Sequence, residues 1–331
     1  MHCMRMRCKH ERKGTAMYYI GVDLGGTNIA IGLVNENGKI LRKGSVPTKA
    51  DREPDEIIKD MAALCLDLIK EEGISVGDVE YAGIATPGTA DHDSGYVVYA
   101  NNLPFLNYPI AAKLTEFSGI KKVLVENDAN AAAKGEAEMG ASKGCNDSLM
   151  ITLGTGLGGG IIIDKKVYSG FNYAGGELGH TVIEVGGRQC SCGRKGCWEA
   201  YSSATGLINM TKDKLAADKN TIMHKMVEEE GKVSGRTAFN AMRAGDKAGA
   251  EVVDEYIRYL ASGIVNMINI FQPEVLVIGG GICNEKEYLT APLKKYVDEE
   301  QYTRNGTKKT EIRIAALGND AGIIGAAMLG F

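Results

Sequence analysis

Apolar residues first recur with a period of two. Tyr18–Leu24 reads as a strand, Gly25-Gly26 as a tight turn and Asn28–Val34 as a second strand. Asn37-Gly38 is a strong hairpin signal and leads into a third strand, Lys39–Lys43. The period then lengthens. Ile57, Ile58, Met61, Leu64, Cys65, Leu68 and Ile69 form the stripe of a helix over Asp55–Glu72, stopped by Gly73. Val79–Ala85 and Lys121–Glu126 read as strands, Pro109–Phe117 and Ala129–Met139 as helices.

The opening pattern then returns as strand Leu149–Leu153, glycine turn Gly154–Gly160, strand Gly160–Ile163, turn Lys165-Lys166 and strand Val167–Ser169. Asp246–Phe271 is a long helix that stops at Pro273, and Glu274–Ile278 is a strand running into Gly279-Gly280-Gly281. Strand Glu311–Ala315 and helix Ala321–Leu329 close the chain. The same order twice implies an internal duplication. Strands alternating with helices imply an α/β fold with largely parallel sheets, each starting from an antiparallel hairpin.

The length of 331 residues, 44% of them hydrophobic, implies about two domains and a core that needs no disulfide staples. The 43 glycines are about 13% of the chain, against an average of ~7%. With only 7 prolines beside them, and gathered in clusters, they point to backbone contacts with a ligand.

A net charge of −4 leaves no basic nucleic-acid footprint. No window approaches the ~20 apolar residues that span a membrane. Residues 1–16 carry +4 (Arg5, Arg7, Lys9, Arg12 and Lys13 against Glu11), which leaves −8 for the remainder. They have no apolar core of a secretory signal. They read as a disordered basic tail or as translation from an upstream start, with Met17 as the functional beginning.

Three of the 8 cysteines share one pattern: His180, Cys190, Cys192 and Cys197, spaced H-x9-C-x-C-x4-C. Thiolate and imidazole ligands at such spacings suit a closed tetrahedral zinc site. Gly193 and Gly196 let a short loop fold back on one ion. Cys3 and Cys8 fall in the tail, and Cys65, Cys145 and Cys283 are scattered. A metal knuckle plus isolated thiols fits a reducing cytoplasm. Glu177 and Glu199 flank the pattern, so the knuckle also shapes a ligand site. A zinc-bound His180 has its second ring nitrogen left for a partner such as a sugar hydroxyl.

Asp23-Leu24-Gly25-Gly26-Thr27-Asn28 suits a phosphate turn in which Asp23 holds Mg2+ through water, or an ordinary glycine hairpin. Gly154-Thr155-Gly156 occupies the matching place in the second unit, and Gly280-Gly281 follows a hydrophobic strand as a nucleoside pocket would. Neither a Walker nor a Rossmann pattern is present. Asn127-Asp128 joins a strand to a helix, where a carboxylate faces the ligand side of an open sheet and can accept a hydroxyl proton. Asn and Asp are also favoured there as helix caps. Asn101-Asn102 lies in a loop, with amides suited to a polyol or to a turn.

Together these motifs closely resemble the ROK family of sugar kinases, over roughly Tyr18 to Phe331. The resemblance rests on Asp23–Asn28, Gly83–Gly88, Glu126–Asn130, Leu153–Gly160 and Glu177–His180 through Cys197-Trp198-Glu199. It implies a two-domain actin/hexokinase-like fold (a duplicated ribonuclease H-like unit) with a cleft between domains and a zinc knuckle. The implied division is 17–141 plus 318–331 against 142–317.

Within the family the pattern is most similar to bacterial glucokinases, which implies ATP-dependent phosphorylation of the 6-hydroxyl of glucose. Asp128 would then be the general base. Asn102, Asn127, Glu177, His180 and Glu199 would hold the other hydroxyls. Asp23 would position Mg2+, and Gly25, Gly26, Thr27, Asn28, Gly154, Thr155, Gly156, Gly280 and Gly281 would line the ATP cleft. Zinc would be structural. A kinase for N-acetylmannosamine, N-acetylglucosamine or fructose, or a polyphosphate donor, fits the same motifs. A sugar-sensing regulator of the family carries a winged-helix domain, for which 16 residues are too few. The resemblance also implies a cytoplasmic homodimer or homotetramer without nucleic-acid or membrane partners.

Overall fold

Two sheets with the same strand order account for the repeated pattern. The computed structural model describes residues 17–331. The basic segment 1–16, with Cys3 and Cys8, lies outside the described residues. The first half runs β1 (Tyr18–Leu24), β2 (Asn28–Asn35), β3 (Ile40–Pro47), α1 (Pro54–Glu71) and β4 (Val79–Thr86). Then come β5 (Thr89–Asp91), β6 (Tyr96–Tyr99), β7 (Leu106–Tyr108), α2 (Ile110–Ser118), β8 (Val123–Asn127) and α3 (Asp128–Met139).

The second half runs β9 (Ser148–Leu153), β10 (Leu157–Ile163), β11 (Lys166–Val167), α4 (Glu199–Ser202), α5 (Ala204–Ala217), α6 (Met223–Glu230) and α7 (Thr237–Arg243). It ends with α8 (Lys247–Phe271), β12 (Val275–Gly279), α9 (Glu287–Glu300), β13 (Glu311–Ile314) and α10 (Ala321–Ala327). The strand orders are β3-β2-β1-β4-β8 and β11-β10-β9-β12-β13, with β5, β6 and β7 in a small third sheet. In both large sheets the first three strands pair antiparallel and the last two join in parallel.

β1 is central, so both its faces are covered. Ile20, Val22 and Leu24 pack with the α1 stripe Ile57, Ile58, Met61, Cys65 and Leu68. On the other face Gly21 stands in register with Gly32 of β2 and Gly83 of β4. This row of glycines forms a groove for α10. A Cβ on Gly21 or Gly83 would lie 1.9 Å from the carbonyl oxygen of Ile323 or Ala326, so a side chain there would expel the helix. The helix α3 crosses α10 just as closely: a Cβ on Gly325 would lie 1.8 Å from the Ala131 oxygen. The same α3 meets β10 of the second sheet, where a Cβ on Gly160 would lie 2.5 Å from that of Ala133.

The chain passes between the sheets twice, after α3 and before α10. One fully buried carboxylate fastens both crossings. Glu136 Oε2 accepts hydrogen bonds from the backbone N–H of Ala141 (2.6 Å) and Ala316 (3.1 Å), and Oε1 from that of Leu317 (2.8 Å). Arg313 donates to the Ala141 oxygen at 2.8 Å beside it. Glu136→Ala orphans three N–H groups, at roughly 1–3 kcal/mol for each buried unsatisfied group. The expected outcome is a melting midpoint lower by about 10 °C or more. A fall below about 2 °C in calorimetry would show that other contacts hold the crossings.

Three elements differ from the sequence reading. β3 runs to Pro47, past the expected end at Lys43, because it pairs with β2 all the way to Asn28. Its polar edge residues hid that length. β10 starts inside the glycine turn, at Leu157, where α3 approaches too closely for side chains. β11 is only Lys166–Val167. Helices α5, α6, α7 and α9 fall where no element was assigned. No helix of the described residues is long and apolar enough to cross a membrane.

Candidate active site

A cleft of about 940 Å³ opens between the two sheets, and nine of the singled-out residues line it. Asp23 comes from the end of β1 and Asp128 from the start of α3. Gly154 and Gly156 come from the β9–β10 turn, Gly280 and Gly281 from the turn after β12, and Glu177, His180 and Glu199 from around the cysteine cluster.

The strand–helix junction before α3 divides two roles between neighbours. Asn127 is the cap: its Oδ1 accepts from the N–H of Ala129 (2.9 Å) and Asn130 (3.2 Å). Its Nδ2 donates one hydrogen to the Gly88 oxygen at 3.0 Å and keeps the second. Asp128 is thereby left to face the cleft. Burial pushes its carboxyl up, the N–H of Ala129 pulls it back, and the charges of Asp23 and Glu177 push it further, to about 6. A carboxylate so poised is ionised at neutral pH and still basic enough to take a proton. Burial also raises Asp23, against the pull of Lys43.

The β1–β2 turn closes on itself, with Gly25 N–H donating to the Asn28 oxygen at 2.9 Å. Thr48, just past the end of β3, clamps it: its N–H donates to the Thr27 oxygen (2.8 Å) and its hydroxyl to the Gly25 oxygen (2.6 Å). Asn102 lies over this turn, 3.5 Å from where a Gly26 Cβ would stand. Gly25, Gly26, Thr27, Asn28, Asn102 and Asn127 are set back from the lining of the main cavity, and Thr155 lines an adjoining one with Gln189 and Ser203. The sequence reading passed over Asn284 and Asn319, whose amides line the cleft. Their nearby glycines, Gly280-Gly281 and Gly318, were the available signal.

His180, Cys190, Cys192 and Cys197 bring four donor atoms within 4.8 Å of one another. His180 Nδ1 is 3.7 Å from Cys190 Sγ, and Cys192 Sγ is 3.6 Å from Cys197 Sγ. A tetrahedral site with metal–sulfur bonds of ~2.3 Å has edges of about 3.7 Å, so the donor set fits zinc. Nδ1 faces the sulfurs, and Nε2 is directed toward Glu177 at 4.0 Å. The loop is drawn tight at Gly196, where a Cβ would lie 1.7 Å from the Glu184 oxygen. Glu199 is held between knuckle and glycine turn. Its Oε1 accepts from Ser191 Oγ at 3.2 Å and its Oε2 from Leu157 N–H at 2.9 Å. A Cβ on Gly156 would lie 2.4 Å from that Oε2.

The family model for the ROK family matches residues 19–330. A glucokinase of Thermotoga maritima is 37% identical over 312 residues, covering 94% of this chain and 96% of its own. The crystal structure of a ROK family glucokinase from Streptomyces griseus, in complex with glucose and AMPPNP, superimposes with a TM-score of 0.77. It is 34% identical and covers 94% of this chain and 98% of its own. The ROK hexokinase from Thermus thermophilus gives a TM-score of 0.75 at 31% identity, over 95% of this chain and 97% of its own. The fold is therefore the α/β fold of ROK sugar kinases, and the chain belongs to the ROK family.

Proposed function

We propose that this chain is an ATP-dependent glucokinase that moves the γ-phosphoryl group of ATP to the 6-hydroxyl of glucose, with Asp128 as general base. The observation that carries the reading is the half-buried Asp128 carboxylate, raised to about 6 by desolvation, in a cleft walled by glycine turns. The relative with glucose and AMPPNP, an ATP analogue, in one complex supports both substrates.

In this mechanism Asp128 accepts the proton of the attacking hydroxyl, the sugar oxygen bonds to the γ-phosphorus, and ADP departs with the electrons of the broken P–O bond. Glu177, Glu199, Asn102, the free hydrogen of Asn127 Nδ2 and the outward nitrogen of His180 hold the remaining hydroxyls. The two glycine turns cradle the phosphates through backbone N–H groups, and the turn of Gly280-Gly281 takes the nucleoside. Asp23 would hold Mg2+, which offsets phosphate charge when bound. His180, Cys190, Cys192 and Cys197 would hold zinc, which rigidifies the sugar wall and takes no part in the reaction.

The lobes of this reading are 17–141 plus 318–331 and 142–317, in line with the seating of α10 on β1. An ADP-release assay with ATP and Mg2+ over glucose, fructose, mannose, N-acetylglucosamine and N-acetylmannosamine tests it. Highest kcat/KM on glucose is expected. Preference for another hexose would replace the substrate, and silence on all five would remove the kinase reading.

A further inference from the structure

The loop between β11 and the cysteine cluster reaches across to the first sheet's side of the cleft. Tyr173 of that loop stacks edge-on against His92 of the β5–β6 turn, ring centroids 4.9 Å apart at 75°. Its hydroxyl donates to Asp93 Oδ2 at 2.6 Å. His92 turns its Nδ1 to Glu126 Oε2 at 3.3 Å, and this hydrogen bond favours the imidazolium. Glu126 is itself buried, and its Oε1 accepts from the N–H of Asn127 and from Asn130 Nδ2, both at 3.0 Å. One continuous set of contacts thus runs from the loop to Asn127 and Asn130, on either side of Asp128 in the chain.

The loop end of this chain of contacts matters equally. Tyr173 lies four residues before Glu177 and seven before His180, two of the side chains that the other lobe presents to the cleft. Tyr173 also keeps a left-handed backbone (φ 61°), an unfavourable conformation for an aromatic residue that its contacts must hold in place. The loop carries little apolar packing of its own: neighbouring Phe171 is 97% exposed. Leu178 anchors the far end of the loop in the second core, and at its outer end the contacts to the first sheet's side are those that Tyr173 makes.

We propose that His92 and Tyr173 are positioning residues that clasp the loop bearing Glu177 and His180 to the strand–helix junction that presents Asp128. The clasp sets the two halves of the acceptor site in register, and it shares no hydrogen bond with the Glu136 crossings. It rests on the sugar-kinase reading for its effect on turnover, and on geometry alone for its effect on the loop.

The test uses the full chain, with His92→Gln, Tyr173→Phe and the double variant. His92→Gln is expected to raise the glucose KM about tenfold, through loss of alignment, with the ATP KM and the melting midpoint nearly unchanged. Tyr173→Phe keeps the ring and loses one hydrogen bond, so a rise of about threefold is expected. The double variant is expected to fall short of the product of the single effects, as coupled neighbours do. A purely structural role would lower the melting midpoint and leave the KM split absent.

Deuterium exchange of amides 170–178 in the protein without substrate supplies a readout independent of activity. Faster exchange in His92→Gln supports the clasp even if the wild type phosphorylates none of the sugars, an outcome that would overturn only the kinase reading. Unchanged exchange, or an unchanged glucose KM in an active His92→Gln enzyme, overturns the clasp.

Discussion

Asp128→Asn is expected to lower kcat by about 10²-fold or more while glucose and ATP still bind. The amide keeps the shape and cannot accept the hydroxyl proton. Because burial and the charges of Asp23 and Glu177 lift the carboxyl to about 6, the wild-type kcat/KM should be flat above about pH 7 and fall about tenfold per unit below pH 6. The variant should lack that acid limb.

Linkage gives a second signature with opposite sign. A carboxyl raised from an unfolded value of about 3.9 contributes stability that is present below about pH 4 and lost as pH rises through about 6. At pH 8 the ionised Asp128 therefore weakens the substrate-free fold by about 2–3 kcal/mol. Asp128→Asn should melt higher than wild type at pH 8 and gain nothing at pH 4. Near-normal turnover in the variant would place the base elsewhere.

The second large effect is expected at the knuckle. Cys192→Ala should lose bound metal and raise the glucose KM by about 10–100-fold, the range seen when partners that orient a metal ligand are removed. The ATP KM should change little. The reason is geometric: the cluster fixes His180 through Nδ1, and Ser191, between two of its cysteines, holds Glu199. Trp198, the single tryptophan, is fully buried between the cluster's last cysteine and Glu199, so its fluorescence reports whether the segment stays folded. Elemental analysis showing complete metal loss with unchanged glucose affinity would make the cluster a remote scaffold.

Sequence pattern carried the elements whose apolar period is unbroken, such as β1, β4 and α1, and the hairpin marked by Asn37-Gly38. It failed where tertiary contact overrides local pattern. β3 is an edge strand in which Arg42, Lys43, Ser45 and Pro47 are exposed and Val46 is the last half-buried apolar side chain, so too few apolar positions mark its end. Gly158, Gly159 and Gly160 read as turn, yet they are strand because α3 and Leu178 lie against them. The glycine row of β2, β1 and β4 and the buried Glu136 act on segments about 180 to 300 residues away in sequence, which no local window contains. At the site, spacing was enough to gather the cysteine cluster, because short-range ligands must share one ion. The two readings of Asn127-Asp128 proved compatible: one residue caps the helix and the next faces the cleft. Asn284, Asn319, His92 and Tyr173 carried no motif, since each owes its place to loops brought together only by the fold.

The most direct test of the central claim is the chemical identity of the product. Wild-type protein incubated with ATP, Mg2+ and glucose should give, in phosphorus–proton correlation spectra, a phosphate ester at the 6-position in step with ADP, and Asp128→Asn should give neither at the wild-type rate. ADP without a sugar ester, an ester at another position, or an unchanged rate in the variant would contradict it.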